Sequence, residues 1–214
     1  MKNFRTTLIF SLLALIIGSG FAPWVYRPAV ALQLTPPGLA EYVKFLHEVR
    51  FGQLAIERLY FLLPLAVMAY AVPLIAVNVH LGLHPLLAWL LRLTAIPMAL
   101  SLLSPIWAPA RLLEPEFILQ TQVAGGALIF WLLAFIFKKL PLKLGLLLVV
   151  LLAGGGLSLA LQQFYLANAA IAATYASSVW LGWGGWLAIV GAVGLTVSAV
   201  WVWFVRDWES VAAT

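Results

Sequence analysis

No cysteine occurs among the 214 residues, which removes disulfides, thiolate metal ligands and cysteine nucleophiles from consideration. Charge is nearly as scarce: 12 Lys and Arg with 7 Asp and Glu make up 9% of the chain, against about 25% in soluble proteins. There is no G-x-x-x-x-G-K-[ST] and no H-E-x-x-H, no pair of carboxylates inside an apolar run, and no arginine-rich run. Nucleotide-driven pumping by the chain alone, zinc-protease chemistry, carboxylate proton relays and voltage sensing therefore drop out. The net charge of +5 is spread too thinly over apolar sequence to read as a nucleic-acid surface.

What is present is hydrophobic: 64% of residues are apolar and the mean hydropathy is +1.07. A domain of this size cannot hide that surface from water, so lipid must be part of its solvent. Spanning helices need about 20 apolar residues, because each backbone amide in hydrocarbon must be bonded within its own segment. Six stretches qualify, at about 6–25, 54–79, 85–107, 117–137, 142–163 and 179–205. None alternates as a transmembrane strand would. The expected fold is all-α: a single membrane domain over 1–214, a polytopic bundle of about six transmembrane helices plus one extracytoplasmic amphipathic helix.

Basic residues set the expected direction. Lys2 and Arg5 precede the first span, Lys138, Lys139 and Lys143 fill the turn between the fourth and fifth, and Arg206 follows the last. With six crossings these share one side, which places both termini in the cytoplasm of a multi-pass cell-membrane protein. Trp24, Trp107, Trp180 and Trp183 then fall at outer boundaries, and Trp89, Trp201, Trp203 and Trp208 at or near inner ones, as interfacial aromatics do. Residues 1–20 also resemble a cleavable signal peptide, with a basic start and small residues at Gly18 and Gly20. The apolar run continues through Phe21 to Val25, which favours an uncleaved anchor.

Charge concentrates in one place. Glu41, Lys44, Glu48, Arg50, Glu57 and Arg58 lie within eighteen residues of the long external segment. Thr35 suits an N-cap, Pro36 a first helical turn, and Gly52 a helix stop. Between them Leu39, Tyr42, Val43, Leu46 and Val49 recur at helical spacing, opposite Glu41, Lys44 and Glu48. This predicts an amphipathic helix over 36–51 that lies on the bilayer or caps the bundle, with Lys44 and Glu48 as an ion pair. Its apolar face is the candidate docking face for a partner.

Few residues invite chemistry. His80 and His84 flank Gly82 and precede Pro85, while His47 belongs to the opposite side, so no haem or metal site is expected. Arg92, the one charge well inside a span, is a candidate lipid-phosphate contact or the partner of a buried group. Glu57, Arg58, Gln120, Gln122, Gln162 and Gln163 share one depth in the outer half, with Thr121, Tyr165 and Asn168 nearby, and form a candidate polar cavity. Gly184, Ala188, Ala192 and Thr196 make a small-residue stripe on the last span, and Gly154–Gly156 with Ser158 and Ala160 another on the fifth. Such stripes let helices approach closely, within the chain, with a second copy or with other integral membrane proteins. Pro64, Pro73 and Pro97 predict kinks.

The expected function is a non-catalytic membrane subunit, surrounded by lipid and packed with partner membrane proteins, such as the membrane component of a multi-subunit transporter. No cofactor is expected. The alternative is a small-solute carrier or substrate-binding membrane component using the outer polar residues. A redox or enzymatic role ranks third.

Overall fold

Backbone amides in hydrocarbon have no water to bond, and the chain meets that demand with helices. A computed structural model describes residues 2–27, 32–103 and 108–204. Five segments are long and apolar enough to cross a bilayer: Asn3–Phe21, Arg58–Ala76, Ile118–Phe137, Leu142–Thr174 and Trp183–Phe204. The first comprises helix α1 (Lys2–Ile16) and a wide π turn at Ile17–Phe21. A two-stranded antiparallel ribbon follows, β1 (Val25–Arg27) with β2 (Leu32–Leu34), pairing Val25 with Leu34.

The third predicted span differs from expectation. Helices α5 (Pro85–Leu93) and α6 (Ala95–Ser101) meet at Thr94, where the Pro97 ring conflicts with the carbonyl four residues earlier. Together they cover 85–101, about 25 Å at 1.5 Å per residue, which is short of the roughly 30 Å hydrocarbon core. The predicted end at 107 lies outside the described residues, as do Trp107, Arg206, Trp208 and the last residue of the 179–205 run. Pro64 sits where a 3-10 turn, Arg58–Leu62, becomes helix α4 (Leu63–Ala76), and Pro73 lies inside that helix.

A second correction concerns residues 164–178, expected as a loop. Helix α9 runs unbroken from Leu142 to Thr174, 33 residues, or about 50 Å. Its last turns outreach the bilayer and support the cap described below. The one-turn helix α7 (Pro109–Leu112) and helix α8 (Ile118–Leu133) precede it, and helix α10 (Trp183–Phe204) closes the bundle. Helix α4 is central, packed on α9, α6, α8 and α1, while α10 packs along α1 and α9. Outward faces of α8, the 3-10 turn after it (Ala134–Phe137), α9 and α10 present Leu132, Ile136, Leu148, Leu151, Val190 and Val193 to lipid.

The first half of the span-six stripe, Gly184 and Ala188, is used within the chain, whereas Thr196 is exposed. A Cβ added to Gly18 would stand 2.5 Å from the Ala188 nitrogen and 2.6 Å from the Gly184 carbonyl oxygen. These small residues therefore hold the π turn that ends the first span against α10 at backbone contact. The N–H groups of Gly182 and Gly184 donate to the carbonyls of Trp24 and Pro23 at 2.6 and 3.0 Å, fixing the start of α10. Trp24 is fully buried, and its indole N–H donates to the Gly18 carbonyl at 2.8 Å. It is a core residue, not a member of the interfacial belt. Trp89, Trp180, Trp183, Trp201 and Trp203 are exposed as such a belt requires.

Candidate functional site

The charged stretch builds a cap over one end of the bundle. Thr35 is the N-cap, its hydroxyl accepting from the Gly38 N–H at 3.4 Å, and helix α2 runs Pro36–Tyr42 with a 3-10 turn at Val43–Phe45. The predicted single helix is then interrupted. Leu46 is extended (ψ 134°), which turns the chain while keeping its side chain buried, and helix α3 resumes at His47–Arg50. Gly52 ends the element at φ +69°, a left-handed conformation that favours glycine.

The apolar face proposed for docking is occupied by the chain itself. Leu39, Val43 and Leu46 are buried, and Tyr42 and Val49 pack at the edge of the same core. Tyr42 stacks on Tyr175, just past the end of α9, at 6.4 Å between ring centroids. Burial, together with the Tyr175 hydroxyl, raises the Tyr42 phenol far above its ordinary value. A partner protein would find little of this face available.

Opposite that face lies an ion network not expected from sequence. Lys44 contacts Glu41 at 2.6 Å and Glu116 at 2.9 Å, not Glu48. Arg58 contacts Glu41 at 3.2 Å and Glu116 at 3.7 Å, and donates to the Glu116 carbonyl at 2.5 Å. Both cations also lie over the Phe117 ring, at 5.1 and 5.3 Å. Two positive and two negative groups cancel, and they tie α2 to the starts of α4 and α8. The Lys44 hydrogen bond holds the Glu116 carboxyl below the usual carboxylate range. Burial works to lower the Lys44 ammonium, but hydrogen bonds to Glu41 and Glu116 outweigh it and the net shift is upward.

Beneath the cap is a cavity of about 600 Å³, within the usual range for small-molecule sites. Thr35, Pro37, Gly38 and Glu41 line it on the cap side, Pro97, Leu100, Ser101 and Leu103 form one wall, and Gly20, Leu62 and Gln120 the remainder. Gln120 is buried, and its Oε1 has no hydrogen-bond partner among the described residues. Leu62 and Gln120 also line a second, apolar space of about 280 Å³ between α4 and α8.

The six predicted polar residues do not converge on one cavity. Gln120 lines it, and Arg58 stands behind Glu41 in the ion network. Gln163 is buried and accepts from the Glu57 N–H at 2.9 Å, while the Glu57 carboxylate caps the Leu59 N–H at 3.3 Å. Gln122 and Gln162 are exposed. Sequence reasoning did not assign Thr35, Glu41 or Ser101 to the cavity, nor Glu116 to the network. Glu41 and Glu116 are 75 positions apart, and no local pattern links them.

Arg92 takes a partner within the chain, one of its two expected roles: its guanidinium donates to the Trp131 carbonyl at 2.9 Å and lies 5.6 Å from that partly buried ring. Among the histidines, His84 caps α5 by accepting from the Leu86 N–H at 3.3 Å, and Gly82 is left-handed at φ +53° between His80 and His84. His47 packs on Phe51. Compared with protein-family models, curated proteins and solved structures, the chain matches none.

Proposed function

We propose that this chain is a non-catalytic membrane component that binds a small ligand in the cavity beneath its cap. The observation that carries the reading is that cavity, about 600 Å³, with a buried amide oxygen on its wall that has no partner among the described residues. Buried polar atoms are normally satisfied, and an exception calls for an occupant or an explanation. The partner-docking reading loses two of its supports, since the cap face and the Gly184–Ala188 stripe are filled by the chain. It retains one: an added Cβ at Gly154 or Gly155 would meet open space, so α9 offers a small-residue face to a second membrane helix.

The native mass spectrum of protein released from its own membrane tests the binding reading. The wild type is expected to carry a non-protein adduct, and Ser101→Trp, which fills the cavity, to lose it. Wild-type protein free of adducts, with Ser101→Trp raising its Tm by plugging a void, would contradict the proposal.

In the cell membrane the cap end faces outside, and six passages, the short 85–101 pair included, leave both termini on the cytoplasmic side. This is supported by the Val79 N–H bond to the Lys138 carbonyl at the basic turn, while Ser101 lines the cavity with Glu41 at the cap end. The chain has no cysteine, so single substitutions report cleanly. Ala173→Cys is expected to react with an impermeant thiol reagent in intact cells and Lys139→Cys to remain unlabelled. The reverse pattern would invert the orientation.

A further inference from the structure

Resting on that reading, we infer that the ligand is a neutral amphiphile, an apolar chain bearing a hydroxyl-rich head. Two spaces meet at Leu62 and Gln120. The larger has a polar rim with Thr35, Glu41 and Ser101. The smaller is lined by Leu59, Leu63, Ala66 and Val123, with Gln120 its single polar liner among the described residues. A head group fits the first and an alkyl chain the second. Leu119, on the wall of the smaller space, is half exposed on the lipid side, so the chain enters laterally from the bilayer.

The charge of the head follows from Glu41. Among the described residues it is the one charged side chain lining either space, and it is already held by Lys44 and Arg58. An anionic head would face that carboxylate, and a cationic head would have to displace two cations that also grip Glu116. A neutral head does neither. Thr35, Ser101 and Gln120 each offer donors as well as acceptors, and Glu41 offers acceptors alone. A hydroxyl both donates and accepts, and so satisfies the Gln120 amide in either orientation.

Three photoactivatable probes with the same diazirine alkyl chain and a glycerol, phosphate or trimethylammonium head test this on the full chain in nanodiscs. Crosslinks are mapped by peptide mass spectrometry. The glycerol-headed probe is expected to label residues 59–66 and 119–123 at least tenfold more than the other two, relative to labelling of Val190 and Val193 on the lipid-facing side of α10. Gln120→Leu should cut that preference about fivefold, the scale of one hydrogen bond. Ala66→Phe and Val123→Phe, each checked for monodisperse elution, should block the slot independently. Equal or stronger labelling by a charged head, or an unchanged preference in Gln120→Leu, would overturn the head assignment while leaving the cavity as a ligand site. Slot labelling no higher than that of Val190 and Val193 for all three probes would overturn both.

Discussion

Gly18→Leu and Gly184→Leu are expected to abolish recovery of folded protein, while Gly154→Leu and Gly155→Leu leave it intact. The Gly18 position faces backbone atoms of Ala188 and Gly184, and a Cβ at Gly184 would stand 2.5 Å from the Ala22 carbonyl oxygen. Backbone cannot rotate aside as a flexible side chain can, so the π turn and α10 must separate. Overpacking costs about 1–3 kcal/mol per site even for modest insertions, and four added carbons at a backbone contact exceed that range. Alanine sharpens the comparison. Replacing a mid-helix glycine by alanine ordinarily gains about 1 kcal/mol, and at Gly154 and Gly155, where space is open, that gain should appear as a small rise in Tm. At Gly18 and Gly184 alanine should lower Tm. Size-exclusion profiles and thermal melts in one detergent decide it, and a well-folded Gly18→Leu protein would show that the contact between the π turn and α10 is wrongly placed.

The second large effect is expected at the cap. Leu39→Asp or Leu46→Asp should release residues 36–51 to proteolysis and rapid amide exchange, with the spans still assembled. Each buried leucine contributes about 1.5–3 kcal/mol, and an unpaired carboxylate in its place adds a desolvation cost. Lys44→Ala should loosen the cap far less, because partly exposed ion pairs contribute about 0.2–1 kcal/mol each. The network instead gives the cap a pH dependence. The Glu116 carboxyl is lowered in the folded protein, so its contribution is full above the ordinary carboxylate value and is lost as pH falls through the lowered one. The Lys44 ammonium is raised, so its contribution is full below the ordinary lysine value and is lost as pH rises through the raised one. Exchange of the cap amides should therefore be slow and flat across neutral pH and quicken at both extremes. Greater damage from Lys44→Ala than from Leu39→Asp would make the charges, not the apolar face, the main attachment.

Local chemistry accounts for what the sequence made legible. Apolar run length located the five long spans, Thr35 and Gly52 bounded the cap, and the 3.6-residue period found the face that buries Leu39, Val43 and Leu46. Run length and periodicity alone do not mark where a helix ends or breaks. Helix α9 passes its expected end because "ANAAIAAT" is alanine-rich, with no glycine or proline to stop it before Tyr175. The break at Leu46 has no such marker either; tertiary packing overrides a continuous pattern there. Trp24 resembled a belt residue by position, yet the π turn at Ile17–Phe21 accompanies a free Gly18 carbonyl that its indole N–H fills. The cavity was least legible, since Glu41, Ser101 and Gln120 come from three distant segments that meet only after α2, α6 and α8 have packed.

The most direct test of the ligand site is a density map of the full chain in nanodiscs made from native lipid. Elongated non-protein density is expected to start beneath Pro37 and Glu41, pass within hydrogen-bond distance of the Gln120 amide, and continue between Ala66 and Val123. A map in which the cap closes directly onto Ser101 and Gln120, leaving no space between them, would contradict it.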